Sequence, residues 1–202
     1  MRDLIQTLHA HLMSRPGTRT LALLSLTFLG FNLWATDILN VSYAASGFPV
    51  PYYEAQLSFS PEALKGWYAT LVQDGHLQRY ITTQHIDSLF ILSTLLLHGG
   101  VLALAARLFN PGSTGRRVMV AAALLSAIAP IADQMENLVS YVMLADPAGF
   151  APALAYVYSS FSALKFAMFV FAYGALTLGV LVAAVQWLRR HAATAGGRSA
   201  EK

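Results

Sequence analysis

Four long apolar segments dominate the pattern of hydrophobic and polar positions along the chain. They run from Thr20 to about Tyr43, from Ile81 to Arg107, from Val118 to Leu144 and from about Ala151 to Arg190. Each reaches the roughly 20 predominantly apolar residues that a helix needs to cross a bilayer. The sequence therefore predicts an all-α membrane protein in which residues 1–190 form a single bundle of four transmembrane helices.

The two ends of the chain differ from these spans. Residues 191–202 are mostly small or polar, and we expect them to form a disordered tail. Residues 1–14 alternate polar and apolar positions with a helical period, which predicts an amphipathic helix lying on the membrane surface. Its apolar stripe consists of Leu4, Ile5, Leu8, Leu12 and Met13.

The one substantial polar loop, residues 44–80, contains a helix start. The Ser-Pro-Glu sequence at 60–62 combines a capping residue, a proline in the first turn and an acid near the positive end of the helix dipole. Gly75 is a plausible stop, whereas residues 47–53 are expected to be extended. This pattern predicts a helix over 60–74 that roofs the bundle. Its apolar stripe consists of Leu64, Trp67, Tyr68, Leu71 and Val72.

Basic residues indicate how the spans are oriented. Arginines cluster before the first span, around the 110–117 turn and after the fourth span. The other two connections hold only Lys65 and Arg79. By the positive-inside rule, both termini and the 110–117 turn are cytoplasmic and the 44–80 loop lies outside. We therefore expect a multi-pass protein of a bacterial inner (plasma) membrane.

The composition supports this class and excludes others. The chain of 202 residues is 56% hydrophobic and only 11% charged, against roughly 25% charged in soluble domains. It contains no cysteine, which excludes disulfides, thiolate metal sites and cysteine nucleophiles. The basic residues lie at helix ends rather than in one patch, so the pattern predicts contact with a lipid bilayer and no binding of nucleic acid.

Ionisable residues inside the spans provide the candidate site. Charged groups in a membrane persist only where they face protein, water or a counter-charge. Counting about 1.5 Å per residue from the cytoplasmic end of each helix places five charges near one level, toward the outer boundary. They come from all four spans and are Asp37, Asp87, Asp133, Glu136 and Lys165.

The neighbours of these charges extend the predicted layer. Asp133, Glu136 and Asn137 fall at i, i+3 and i+4, so they share one helix face. Gln84 precedes Asp87 by almost one turn, while His85 adjoins the group from another face. Four carboxylates face a single ammonium, which is the main argument for a functional site. The predicted binding residues are Asp37, Gln84, His85, Asp87, Asp133, Glu136, Asn137 and Lys165.

Metal and cofactor sites receive less support. His76, His85 and the acidic residues could assemble a metal site, but neither an H-E-x-x-H nor an E-x-x-H spacing is present. The pattern therefore leaves a metal ion undecided. No cofactor is predicted, and His98 is interpreted as a packing residue because the other spans hold no second histidine at its depth to ligate a haem.

Three functions remain open for this layer. The leading interpretation is a non-enzymatic membrane protein with an outward-facing acidic pocket for a cation or the amine-bearing head group of a small amphiphile. In it, Lys165 is the internal counter-charge, and Asn137 and Gln84 orient the acceptors. One alternative is a lipid-modifying enzyme with Glu136 or Asp133 as general acid or base. The other is an assembly or scaffold subunit, in which the layer fixes helix register within a complex with another membrane protein or a homo-oligomer.

A set of short motifs carries a resemblance to a known group of proteins. They are Ser60-Pro61-Glu62-Ala63, Gly75, Arg79-Tyr80, Asp87, Asp133-x-x-Glu136-Asn137 and Leu164-Lys165-Phe166. On these motifs the chain resembles uncharacterised bacterial integral membrane proteins with four spans, a PEEA outer loop, a D-x-x-E-N third helix and an LK fourth helix. The resemblance covers about Tyr52 to Phe169, although the Gly-Arg pair of the group is spaced out here. It implies the topology and the polar layer, and it supplies no reaction.

Overall fold

The computed structural model describes residues 15–200, with side chains as far as residue 192, and its regular structure over these residues is α-helical. The amphipathic helix predicted for residues 1–14 lies outside the described residues. In chain order the helices are α1 (Thr18–Ala45), α2 (Tyr52–Gln56), α3 (Pro61–Gln73), α4 (Leu77–Ala106), α5 (Thr114–Leu125), α6 (Ile128–Ala145) and α7 (Pro152–Ala200).

Four helical segments in the described part of the chain are long and apolar enough to cross a membrane. They are α1, α4, the α5–α6 pair and the Pro152–Ala192 part of α7. The four predicted spans are thus confirmed, and by helix length and hydropathy this is a multi-pass membrane protein. The helix α7 continues to Ala200, where the sequence led us to expect a disordered tail from residue 191. Alanines at 192, 193 and 195 are strong helix formers and favour this extension.

The third span is interrupted between α5 and α6. The sequence predicts a kink at Pro130, but the break lies one turn earlier, at Ser126 and Ala127. Pro130 has no N–H to donate to the carbonyl of Ser126, and its ring presses against that carbonyl. The Ser126 hydroxyl donates to the carbonyl of Ala123 at 2.9 Å, and the Ser126 carbonyl accepts from the Ala129 N–H at 3.4 Å. The proline therefore acts on the turn that precedes it.

The spans pack in two pairs. The most extensive helix contacts are those of α1 with α4 and of α6 with α7, and α4 joins the pairs through α5 and α6. The helices α1 and α7 are not closely packed against each other. This arrangement leaves a gap between the first and fourth spans, and α4 and α6 form its floor.

Two apolar clusters lie on either side of the polar residues. One joins the C-terminal part of α4 to α5 and the middle of α7, and it includes Leu102, Phe109, Met119 and Val120. The other joins α3 to the ends of α4, α6 and α7 that the sequence predicts to lie outside, which we call the outer ends, and it includes Leu64, Tyr68, Leu71, Tyr80, Met143, Phe150 and Tyr158. On α4, α6 and α7 the polar residues fall between the clusters along the chain. The bundle is therefore apolar at both ends and polar between them.

The helix α3 closes the outer end as predicted, with two differences in the loop. The hydroxyl of Ser60 accepts a hydrogen bond from the Ala63 N–H at 3.1 Å, which caps the helix. Leu64, Tyr68 and Leu71 are buried at i, i+4 and i+7. Val72, which was expected on the same stripe, is 52% exposed because it turns past the edge of the buried face. Part of the segment predicted to be extended forms α2 instead, immediately after Pro51.

Gly75 ends α3 in a Schellman motif. Its φ is +70°, its N–H donates to the Val72 carbonyl at 3.2 Å, and the next N–H, of His76, donates to the Leu71 carbonyl at 2.8 Å. A side chain at Gly75 would meet open space. Glycine is therefore needed at this position for its backbone conformation and not for room.

We expect Gly75→Ala to destabilise the outer cap by about 1–2 kcal/mol, because alanine resists the left-handed conformation. The matched control is Gly66→Ala within α3, where the added methyl also meets open space but the backbone is helical, so it should stabilise by about 0.5–1 kcal/mol. Thermal unfolding and hydrogen exchange over residues 61–73 measure both variants. Equal effects of the two alanines would contradict this account of Gly75.

The orientation inferred from the arginines can be tested cleanly because the chain has no cysteine. A cysteine replacing the exposed Gln73 should react with a membrane-impermeant maleimide added to intact spheroplasts. A cysteine replacing the exposed Thr114, within the 110–117 turn, should react only after the membrane is opened. The reverse labelling pattern would show that the protein is inserted the other way.

Candidate functional site

A buried ion triad joins α6 to α7. The ammonium of Lys165 lies 2.7 Å from Oδ1 of Asp133 and 2.6 Å from Oε2 of Glu136. All three residues are less than 5% exposed. The two carboxylates are three residues apart on α6, so both project from one face toward α7. The triad therefore fixes the relative position of these two helices.

A second set of polar contacts joins α4 to α6. The Asn137 amide donates to Oδ2 of Asp87 at 2.6 Å, and the Gln84 amide donates to the Ser140 hydroxyl at 2.5 Å. The ion pairs found in the described part of the chain do not include Asp87. Its carboxylate is thus held by an amide and is not neutralised by a cation in contact with it.

The charges in this layer do not balance. Asp87, Asp133 and Glu136 bring three carboxylates to one region, whereas Lys165 brings one ammonium. Removing charges from water is costly unless they are paired and hydrogen-bonded. The triad meets that condition for Lys165, but the layer holds more acidic groups than basic ones. It is therefore suited to a positively charged partner.

A cavity of about 270 Å³ opens onto these residues. It lies between α1 and α7, with α4 and α6 as its floor and α2 at its outer end. The polar groups of α4, α6 and α7 that line it are Thr83, Gln84, Asp87, Asp133, Glu136, Asn137 and Lys165. Its aromatic walls consist of Tyr43, Tyr52, Tyr80, Phe90, Tyr158, Phe166, Phe169 and Tyr173. We call this space the outer cavity.

Two of the predicted site residues do not reach the outer cavity. Asp37 is exposed on α1, because the cavity is lined from that helix by Thr36, Asn40 and Tyr43 and Asp37 lies about 100° around the helix from Thr36. His85 is also exposed, and its ring nitrogen is 3.0 Å from the Tyr141 hydroxyl. Depth alone placed Asp37 in the layer, and the rotation of α1 removes it, whereas the sequence already assigned His85 to another face of its helix.

The aromatic walls were not identified from the sequence. Tyr80, Gln84 and Asp87 fall at i, i+4 and i+7 on α4, so Tyr80 shares the face of the predicted polar residues. Thr36, Asn40 and Tyr43 show the same spacing on α1. The helical spacing of these residues was therefore visible in the sequence, but the residues that complete the walls come from other helices. Only the packing could show that these faces meet.

The helix α3 covers the outer end of this region. The ring of Tyr68 packs 6.2 Å from that of Tyr80 and 6.1 Å from that of Phe150. Burial raises the pKa of Tyr68, and the nearby Glu136 carboxylate raises it further. The phenol therefore remains neutral and adds no charge to the acidic layer.

The geometry gives no support to a metal centre. Within residues 15–192, no three His, Asp or Glu side chains are grouped so that they could hold a metal ion. His76, which the sequence left as a possible ligand, contacts Arg79 on the outer surface at 3.4 Å. The excess negative charge is thus not arranged as a ligand shell.

Comparisons with protein-family models, with curated proteins and with solved structures find no match to this chain. Its function must therefore be inferred from the site itself.

Among substitutions in the triad, removal of the cation should destabilise the bundle most. We expect Lys165→Met to destabilise the protein by about 3–5 kcal/mol, because it leaves two buried carboxylates without a counter-charge. Neutralising both in the triple variant Lys165→Met, Asp133→Asn, Glu136→Gln should recover much of that loss. Thermal unfolding in detergent micelles measures both variants.

The matched control for this series is Asp37→Asn, which removes an exposed charge from another span and should leave the melting temperature nearly unchanged. A Lys165→Met variant as stable as the parent would show that the triad does not hold α6 to α7.

Proposed function

We propose that this membrane protein binds the positively charged, amine-bearing head group of a small amphiphile in the outer cavity and does not transform it chemically. The observation that carries the proposal is the environment of Asp87. Its carboxylate lines a membrane-level cavity and is held by Asn137 without a cation in contact. A cationic head group would supply the missing charge.

The acidic residues then have different roles. Asp133 and Glu136 are committed to Lys165 at 2.7 and 2.6 Å, so they maintain the helix packing beneath the ligand. Asp87 is half-buried and is the acceptor that remains for a ligand. The sequence pattern had given Asp133 and Glu136 equal weight with Asp87 as acceptors. In this proposal the specificity lies chiefly in Asp87, oriented by Asn137.

The aromatic walls favour an organic cation. Ammonium groups are attracted to the faces of aromatic rings, and quaternary ammonium ligands are typically bound in aromatic cages. The outer cavity offers rings from α1, α4 and α7 around its carboxylates. A bare metal ion would instead require several oxygen or nitrogen ligands at short distance. No such group exists among the described residues.

The position of the cavity favours an amphiphile over a fully water-soluble amine. Because α1 and α7 are not closely packed, the gap between them faces the surrounding lipid. Tyr173, which lines the cavity from α7, is 57% exposed on that side. A molecule already dissolved in the membrane can therefore reach the carboxylates sideways, with its head group first. Its chain would remain in the lipid.

The triad itself supports a second candidate function, that of an assembly or scaffold subunit. Its pairing of Lys165 with two carboxylates fixes the register of α6 against α7 without any ligand. In that case the polar layer would serve packing alone, and Asp87 would have no ligand. Ligand binding at Asp87 separates the two functions.

The test uses choline as a head-group probe and 3,3-dimethylbutan-1-ol as its uncharged carbon isostere. We expect choline, and not the isostere, to raise the melting temperature of the protein in nanodiscs. Asp87→Asn should weaken choline binding about tenfold or more, because a charge-assisted contact is lost. Calorimetric titration measures the affinity.

Asp37→Asn is the matched control, since it removes the same charge from an exposed position and should bind choline like the parent. Equal stabilisation by the isostere, or unchanged binding by Asp87→Asn, would contradict the proposal. A complete lack of stabilisation, together with a membrane protein that co-purifies stoichiometrically, would favour the scaffold function instead.

A further inference from the structure

A second cavity lies between the same helices, nearer the Ala106 end of α4. Its volume is about 450 Å³, and it is lined by α1, α4 and the middle of α7. Tyr173 lines both cavities. Most of its walls are leucine, valine and alanine, and none of the described residues that line it is charged. We call this space the inner cavity.

Two buried polar side chains interrupt these apolar walls. His98 is 3% exposed and Ser25 is 5% exposed, and both line the inner cavity. Neither ring nitrogen of His98, nor the hydroxyl of Ser25, has a hydrogen-bond partner among the described residues. A buried polar group without a partner destabilises a fold. Two such groups that line one cavity point to a ligand whose polar atoms contact them.

The imidazole is held by rings and not by hydrogen bonds. Its centroid lies 5.8 Å from that of Phe169 and 5.1 Å from that of Tyr173, and both contacts are edge-to-face. These contacts fix the plane of His98 and leave its nitrogens free to bond. The packing role expected for His98 from the sequence accounts for the ring, but it does not account for the nitrogens.

The chemistry of the inner cavity restricts the class of ligand. A neutral imidazole and a serine hydroxyl can each donate one hydrogen bond as well as accept one, so a ligand with acceptor oxygens can pair with both. The uncharged walls require the rest of the molecule to be neutral and apolar. The rim residues Leu26 and Leu29 are 65% and 41% exposed, so the molecule reaches the cavity from the surrounding lipid, between α1 and α7.

The depth of His98 separates this ligand from ordinary phospholipids. His98 lies eight residues before Ala106, which is about 12 Å along the helix. The polar parts of phospholipids lie at the boundary of the hydrocarbon. An acceptor oxygen at this depth must therefore belong to a lipid-soluble molecule that places a polar group inside the apolar region.

We propose that the inner cavity binds an uncharged, lipid-soluble carbonyl compound of the quinone type, whose carbonyl oxygens accept hydrogen bonds from His98 and Ser25. The geometry supports binding, and no electron transfer is proposed. This site does not depend on the proposed function of the outer cavity, because it uses neither Asp87 nor the ion triad.

The test compares a decyl-substituted benzoquinone with decylbenzene, which carries the same chain on a six-membered carbon ring but has no oxygen. The full-length protein is reconstituted in nanodiscs. We expect the quinone to raise the melting temperature and decylbenzene to leave it nearly unchanged. His98→Phe keeps the edge-to-face packing and should weaken quinone binding about tenfold, as should Ser25→Ala.

The ligand-free stability supplies an independent readout. His98→Phe should melt at or above the temperature of the parent, because it removes a buried polar group that has no partner. Asp37→Asn serves as the control and should bind the quinone like the parent, because Asp37 is exposed and lines neither cavity. Equal shifts with decylbenzene would overturn the proposal, as would no shift with either probe. Unchanged quinone binding by both His98→Phe and Ser25→Ala, or loss of binding in Asp37→Asn, would also overturn it.

Discussion

The pairing of Lys165 with Asp133 and Glu136 is the interaction on which the rest of the bundle depends. It places an ammonium between two carboxylates that a membrane would otherwise exclude. Because it fixes α6 against α7, it also determines where Asn137 stands, and through Asn137 the position of the Asp87 carboxylate. The triad of one ammonium and two carboxylates thus supports a third carboxylate that has no cation in contact with it.

The other constraint is the contact that the bundle lacks. The first span packs on α4 and the fourth on α6, whereas α1 and α7 do not pack closely together. Both cavities lie in the resulting gap, one acidic with aromatic walls and one apolar with two unpartnered polar groups. They share Tyr173, so the two chemically different cavities adjoin each other. In our proposals both receive molecules that are dissolved in the lipid.

Several features of the fold and site follow from local rules, and others do not. The cap of α3 by Ser60 and its stop at Gly75 were predictable, because each depends on a few neighbouring residues. That Pro130 disturbs the third span was predictable from the sequence. The break lies one turn earlier because the proline ring displaces the carbonyl of Ser126. The exposure of Asp37 was not predictable from its depth, because the position of a residue along the helix axis does not determine the direction in which its side chain points.

The sequence by itself determined the four spans and the capped helix α3, and it predicted a common level for the ionisable side chains, since helix length, hydropathy and rise per residue are properties of the chain alone. Only the tertiary structure decided which of those side chains meet. It paired Lys165 with two acids, left Asp87 to an amide and turned Asp37 and His85 outward. The reason is that the rotation of each helix about its axis is set by the packing of whole faces, which no single segment encodes.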